Sequence, residues 1–479
     1  MRNTEKFDLV ILGAGSAGLV VAAVAASLKF KVALLEGDKM GGDCLNYGCV
    51  PSKALLSAAR KVHTAKQAST FGLKTTDKVD FKAVMKHVHD GIARIAPHDS
   101  EERFSGMGVE VIREHGSFEN AHTIITKSGR RLIGKRIIVA TGSRAMVPPI
   151  KGLDTTPYLT NETIFELKTL PEHLIIIGGG PIGVEMGQAF NRLGAQVSLI
   201  EAAPTILGKD DPELAAVARA QVMEEGVYVY ENHTVAATAK TAKGITVTLK
   251  NADSKTVDLT GSHLLIAAGR APNVDGLGLE NTGVTYTKQG IPTSGAMRTN
   301  VPHIYAAGDV TGPYQFTHMA GYQAGLIIRR TLFGGLTTKP DYKAVPWVTY
   351  TSPELANVGL TEAQARTQYG DSIKVVRVPF DEVDRARAEG DTKGLLKVIT
   401  TKRGKILGAG MVGTHAGELI HEWATFVQLG LNIRHMNSII HAYPTRAEIN
   451  KKAASAYYKD AFYSRSTRRL SHFLFKLLG

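Results

Sequence analysis

Cys44 and Cys49 are the only cysteines of the chain, and both lie in the stretch GGDCLNYGCVPSKALL. A structural disulfide between them would close a tiny loop and constrain little of the unfolded chain. A zinc site would need two more ligands at usable spacing, and the sequence around the pair offers none. The pattern therefore points to a redox-active dithiol. Such a pair exchanges two electrons with a substrate, so the rest of the chain must supply an electron source.

The pair also constrains its own backbone. In an ideal α-helix, residues five apart have Cα atoms roughly 8.6 Å from one another, whereas a disulfide needs less than about 7 Å. The segment must bend for the pair to close, and Gly48 tolerates the unusual φ/ψ that a bend requires. Pro51 and Ser52 look like the start of a helix through SKALLSAARKVHTA. A helix N-terminus and Lys53 would both favour a thiolate at Cys49.

The elements around the pair read as two dinucleotide-binding units. FDLVILGAGSAGLVVAAVAASLKFKVALLEGD gives strand, glycine turn, helix, strand. In it Gly13, Gly15 and Gly18 form G-x-G-x-x-G. The first glycine allows the turn, the second lets a pyrophosphate approach, and the third lets helix and strand pack closely. The free N–H groups of the helix N-terminus face the phosphates, and Glu36 at the end of the next strand can bind a ribose hydroxyl. The unit recurs in HLIIIGGGPIGVEMGQAFNRLGAQVSLIEAA with Gly178, Gly180, Gly183 and Glu201. Two such units suit a bound flavin and a visiting nicotinamide, which is the electron source the cysteines need. Glu201 would repel a 2′-phosphate, and EAAPTIL has no arginine to hold one, so NADH is favoured over NADPH.

IIVATGSRAMVPPI (137–150), LLIAAGRAPNVDGLGLE (264–280) and NVPHIYAAGDVTG (300–312) read as strands ending in small-residue turns. The last is expected to end a strand at Asp309, placed to bond a ribityl hydroxyl. From about residue 341 the glycine turns stop, and a mixed α+β segment begins.

The net charge is +13, from 57 basic and 44 acidic residues. Residues 451–479 carry seven Lys/Arg against one Asp and the remaining excess is diffuse, which argues against nucleic acid. MRNTEKFDLV has no apolar leader-like core, and LVVAAVAA is too short to span a bilayer. A cytoplasmic location with reduced thiols is expected. In SRSTRRLSHFLFKLLG, Leu470, Phe473, Leu474, Leu477 and Leu478 fall at helical spacing beside Arg465, Arg468, Arg469 and Lys476. That helix either packs on the protein's own dimer, the preferred reading from the sequence, or lies on an anionic membrane surface.

The combination G-x-G-x-x-G, C-x4-C-V-P-S-K, A-T-G-S, a second G-x-G-x-x-G-x-E, A-G-R-x-P-N and A-A-G-D-V-T resembles the FAD-dependent pyridine nucleotide–disulfide oxidoreductases. Lipoamide dehydrogenase, glutathione reductase and mercuric reductase belong to that family. The resemblance covers roughly residues 6–450. It implies an α/β fold with two Rossmann-like, three-layer dinucleotide-binding domains and a C-terminal α+β dimerisation domain. The implied boundaries are 1–149 for FAD, 150–272 for NAD(P), 273–340 for a return to the FAD or central region, 341–450 for dimerisation and 451–479 for a basic amphipathic tail. Gly13, Gly15, Gly18 and Glu36 would serve the ADP half of FAD, Asp309 its ribityl chain, and Gly42 would also bind the cofactor. Thr141 and Gly142 would lie beside the flavin. Gly178, Gly180, Gly183, Glu201 and Gly269 would serve NAD(H). Cys44 would be the interchange thiol and Cys49 the charge-transfer thiol, with Lys53 near flavin N5 and paired with Glu185. A homodimer is implied.

One departure bears on the substrate. Disulfide reductases of this family carry H-P-T-x-x-E, whose His is a general base across the dimer. Here IIHAYPTRAEIN keeps Pro444, Thr445 and Glu448 but has Tyr443 in place of the His. Mercuric reductases share that tyrosine but end in a cysteine pair, whereas this sequence ends HFLFKLLG. His441 would be a substitute base only if the loop turned, and a structural or solvent-facing role is preferred for it. The leading expectation is a mercuric-reductase-like NADH-dependent flavoprotein acting on a metal ion or small disulfide. The alternatives are dihydrolipoamide dehydrogenase and a membrane-associated flavoprotein electron-transfer subunit.

Overall fold

A computed structural model describes residues 4–74, 78–335 and 338–478. It divides into two compact units, the first Met1–Gly178, Ala189–Ile200 and Thr234–Pro340, the second Gly179–Gln188, Glu201–His233 and Asp341–Gly479.

The first unit is built on parallel strands too apolar to face water on either side. Strand Thr4–Leu12 lies between Val32–Leu35 and Arg131–Val139, parallel to both. Register places Leu12 beside Leu35 on one side and Val139 on the other, so the three strands end together. Ile304–Ala306 adds to Arg131–Val139, again parallel. Val10 and Ile11 are wholly buried, each such side chain contributing about 1.5–3 kcal/mol of burial. Helices Ser16–Ser27 and Thr317–Thr331 share the core on one face, through Val21, Ala22, Ala324 and Ile327. A second parallel set in the unit has His173–Ile177 between Gln196–Ile200 and His263–Ile266.

In the second unit a five-stranded antiparallel sheet runs Pro346–Thr349, Glu354–Gly359, Ile406–Gly413, Leu395–Thr401, Ile373–Pro379. Helices Ala416–Leu429 and Glu448–Phe462 cover it. Trp423, Phe380 and Met411 fill the interface as fully buried side chains. The α/β class with a C-terminal α+β region is as the sequence implies.

Two boundaries differ from expectation. The helix expected from Pro51 or Ser52 begins at Cys49 and runs to Gln67, because proline is accepted in a first helical turn. The strand expected to end at Asp309 stops at Ala306. Gly308, at φ +79°, turns the chain out of extended conformation, and Asp309 opens a short 3₁₀ turn, Asp309–Thr311.

Candidate active site

The cysteine segment is bent where Gly48 sits. A short helix, Gly42–Asn46, carries Cys44; Gly48 then takes φ −124° and ψ −109°, and Cys49 opens the next helix. A Cβ at position 48 would meet Asp43 Oδ2 at 2.8 Å and the Asp43 carbonyl oxygen at 3.1 Å, so Asp43 would have to shift to admit one. Both cysteines are free thiols, the reduced form of the expected pair. Cys49 is exposed and lies 3.2 Å from the Thr317 hydroxyl, Sγ to Oγ1. Each of these residues is the first of its helix, so the sulfur stands at two helix N-termini, where negative charge is favoured.

The two thiols differ sharply in acidity. The hydrogen bond from Cys44 is the main influence holding Cys49 down to about 6; Thr317 and the Lys53 ammonium add to it, while partial desolvation of the sulfur by its neighbours opposes. Cys44 is pushed far above the ordinary thiol range, first by donating to Cys49 and then by burial. Both influences favour the negative charge of the dithiol on Cys49 rather than on Cys44. Lys53 lies one helical turn after Cys49, as the sequence expects of its field.

A polar chain supports this segment. Asp43 Oδ1 accepts from Asn161 Nδ2 at 2.9 Å and pairs with Arg270 at 3.0 Å. The Arg270 guanidinium also donates to the Ser143 hydroxyl at 2.8 Å and its carbonyl at 2.9 Å. Ser143 in turn donates to Asp309 Oδ2 at 2.6 Å. Burial raises the Asp309 carboxyl above its ordinary range, and the Ser143 hydrogen bond opposes that rise. Sequence reasoning missed Asp43, Ser143, Arg270 and Thr317. Arg270 and Ser143 were visible in A-G-R-x-P-N and A-T-G-S, but nothing in either motif reveals that the other is its partner. The motifs meet because strands Ser143–Ala145 and Arg270–Pro272 pair antiparallel. Asn273 locks them, donating to the Thr141 carbonyl at 2.9 Å while the Thr141 hydroxyl donates to the Asn273 carbonyl at 2.8 Å. Gly142, at φ +69°, and Gly269, at φ +128°, bend the chain beside them.

The residues of the first glycine turn fit a dinucleotide. A Cβ at Gly13 would overlap the Ala140 carbonyl, and one at Gly18 the Gly13 carbonyl. At Gly15 a Cβ would meet nothing within 4 Å, which leaves open space at the mouth of the helix. Gly42 approaches so closely that its Cβ would lie 2.8 Å from the Gly15 Cα. Glu36 follows strand Val32–Leu35 and accepts from the Ala14 and Asp38 amides, both at 2.8 Å. The second turn repeats this design. Gly178 is held against the Ala267 carbonyl, Gly180 faces open space, and Gly183 is buried in helix Pro181–Leu193. Glu201 accepts from the Gly179 and Ala203 amides, both at 2.7 Å. Each acid thus braces its glycine turn, a task the sequence reading did not assign. Glu185 is buried and accepts from the Tyr350 amide at 2.9 Å.

In the second unit Tyr443 is 70% exposed and its hydroxyl lies 3.3 Å from Asp384 Oδ2. The Asp384 carboxylate raises the phenol above its ordinary range, which weakens it further as a base at neutral pH. His441 faces the other way, its side chain only 4% exposed, with Nε2 3.3 Å from Glu422 Oε2. Asn450 Nδ2 donates to the same Glu422 oxygen at 2.8 Å, and Trp423 Nε1 donates to Asn450 Oδ1 at 2.7 Å. Glu448 Oε2 is buried with no hydrogen-bond partner among the described residues.

Two family models match the chain. "Pyridine nucleotide-disulphide oxidoreductase" covers residues 7–324, and its dimerisation domain covers 345–454. A mercuric reductase of Bacillus cereus is 35% identical over 95% of this chain and 72% of its own length. A dihydrolipoyl dehydrogenase of Thermus scotoductus is 36% identical over 96% of this chain and 99% of its own length. Among solved structures, a Cu(II) complex of the HOCl-induced flavoprotein disulfide reductase RclA from Escherichia coli superposes with a TM-score of 0.85. It is 30% identical, over 94% of this chain and 99% of that one.

Proposed function

The chain belongs to the pyridine nucleotide-disulphide oxidoreductase family, and within it we propose that the protein is an NADH-dependent, mercuric-reductase-like flavoprotein whose Cys44–Cys49 pair reduces a metal ion or a small disulfide. The family is FAD-dependent, uses NAD(P)H and carries a dimerisation domain that supports a homodimer. FAD, when bound, would supply a two-electron carrier between the nicotinamide and the cysteine pair. Gly13, Gly15, Gly18, Glu36 and Gly42 would hold its ADP half, Asp309 its ribityl chain, and Thr141 and Gly142 its ring. Gly178, Gly180, Gly183, Glu201 and Gly269 would hold NADH, with Glu201 set against a 2′-phosphate.

The observation that carries the metal reading is the missing base. Cys49 is already ionised near neutral pH, so a soft cation can replace the one remaining proton on the dithiol. Disulfide substrates instead need a group that takes and returns protons near pH 7. Tyr443, its phenol raised by Asp384, is poorly suited to that task. The relatives named mercuric reductase support a metal-ion substrate; RclA, solved with Cu(II), is named a disulfide reductase and supports the small-disulfide alternative. Dihydrolipoamide dehydrogenase is the second reading, favoured by the relatives of that name and by the His441–Glu422 pair, an imidazole held to a carboxylate two residues from Tyr443.

NADH turnover with Hg(II), Cu(II), lipoamide, glutathione disulfide and a quinone, measured side by side, tests the proposal. Metal-ion reduction with disulfides at least about 10²-fold slower is expected. Rapid turnover of lipoamide would put dihydrolipoamide dehydrogenase first.

A further inference from the structure

Helix Arg465–Leu478 is the one long helix in which no residue is buried, among those whose burial is described. Its apolar side chains are large, and all are open: Leu470 57%, Phe473 62%, Leu474 41%, Phe475 80%, Leu477 67% and Leu478 82%. At 100° per residue, Leu470, Phe473, Leu474, Leu477 and Leu478 fall within one broad stripe. Arg465, Arg468, Arg469, His472 and Lys476 occupy the opposite side, and the helix contains no Asp or Glu. The helix is closed locally at its start. Ser464 Oγ accepts from the Thr467 amide at 3.2 Å, an N-cap bond, and the Thr467 hydroxyl donates to the Ala461 carbonyl at 2.8 Å.

We propose that this helix is a peripheral anchor that lies on an anionic lipid surface, its leucines and Phe473 in the acyl boundary and its basic residues, with Phe475 beside them, among the headgroups. Charge favours this occupant over a second copy of the chain. The helix is wholly basic in its charges, and the protein carries a net +13, so another copy offers a surface of the same sign. The match to the dimerisation domain also ends at residue 454, before this helix begins. A spanning role is ruled out by length. The 14 residues reach about 21 Å, short of the roughly 30 Å hydrocarbon core. Among the described residues no helix is long and apolar enough to cross a membrane. An interfacial helix needs only a strong apolar stripe, aromatic and leucine side chains on it, and cations opposite.

The test uses the full chain, loaded with FAD. Co-sedimentation with vesicles of phosphatidylglycerol and phosphatidylcholine is compared with pure phosphatidylcholine vesicles, at low and high salt. Sedimentation velocity without lipid is run on the same samples. Binding should require the anionic lipid and weaken with salt. Each basic residue near such a surface contributes about a fivefold factor, so Arg468→Glu with Arg469→Glu should lower partitioning more than tenfold. Leu474→Asp with Leu477→Asp should abolish it and leave the solution mass and NADH oxidation unchanged. Equal binding to both vesicle types overturns the proposal. So does absent vesicle binding, and so does a fall in solution mass in the leucine variant, which would make the helix a contact between copies.

Discussion

Replacing Tyr443 with His should create disulfide turnover, because the surrounding residues already supply what an imidazole needs. Glu448 has a buried carboxylate oxygen without a partner among the described residues. Leaving such an acceptor unsatisfied costs about 1–3 kcal/mol, and an imidazole N–H is a natural donor to it. Glu448 lies close enough to help raise the Tyr443 phenol, after the larger influence of Asp384. The rise in turnover follows from populations. An ordinary phenol is about 0.1% ionised at pH 7, whereas an ordinary imidazole is roughly three-quarters neutral and able to accept a proton. The ratio of usable base is near 10³. Phenolate is the stronger base and recovers part of the difference, so the expected rise is about 10- to 10³-fold. The assay is NADH-dependent reduction of lipoamide and of glutathione disulfide by Tyr443→His, beside Tyr443→His with Glu448→Gln. The single variant should acquire a bell-shaped pH profile with a limb near 6.5, and the double variant should lose most of the increase. Unchanged disulfide turnover in a folded, FAD-loaded Tyr443→His protein would show that a missing base is not what limits this enzyme.

Alkylation of the NADH-reduced protein should follow one thiolate with a midpoint near pH 6, lost as pH falls below it, because Cys44 stays protonated while Cys49 ionises; Thr317→Val should move that midpoint upward. Glu201→Arg should shift the ratio of kcat/KM for NADH over NADPH by about 10- to 100-fold towards NADPH, the worth of one added charge-assisted hydrogen bond, and stopped-flow flavin reduction by both donors measures it. Arg270→Met should lower stability by about 1–3 kcal/mol, since Asp43 and the half-buried Asp309 lose their shared cation; thermal unfolding with and without FAD checks this.

The parts of the site legible in the sequence are those fixed by local geometry. Gly13 and Gly18 sit against the Ala140 and Gly13 carbonyls, and a strand–turn–helix unit needs glycine there whatever surrounds it. Glu36 and Glu201 were legible for the same reason, each ending a short strand one unit after its turn. The bend at Gly48 followed from the distance a disulfide allows. What stayed hidden depends on pairings between distant positions. Thr317 meets Cys49 across 268 residues, and Arg270 reaches back to Ser143 across 127. No periodicity or spacing encodes such a meeting; it exists only once the parallel strands are aligned. The inward turn of His441 was hidden for a related reason. Its direction is set by Glu422, which lies on the helix that packs against it, with Asn450 and Trp423 behind.

If electrons pass from NADH through flavin to Cys44 and Cys49, an anaerobic titration with NADH that also counts free thiols will register the transfer itself. The oxidised, FAD-loaded protein should yield two new titratable thiols per chain after one equivalent of NADH, together with a long-wavelength thiolate-to-flavin charge-transfer band. Cys49→Ser should lack that band, and Cys44→Ser should show it before any reductant is added. Bleaching of the flavin by NADH with no new thiols and no such band would mean that the electrons never reach the cysteines.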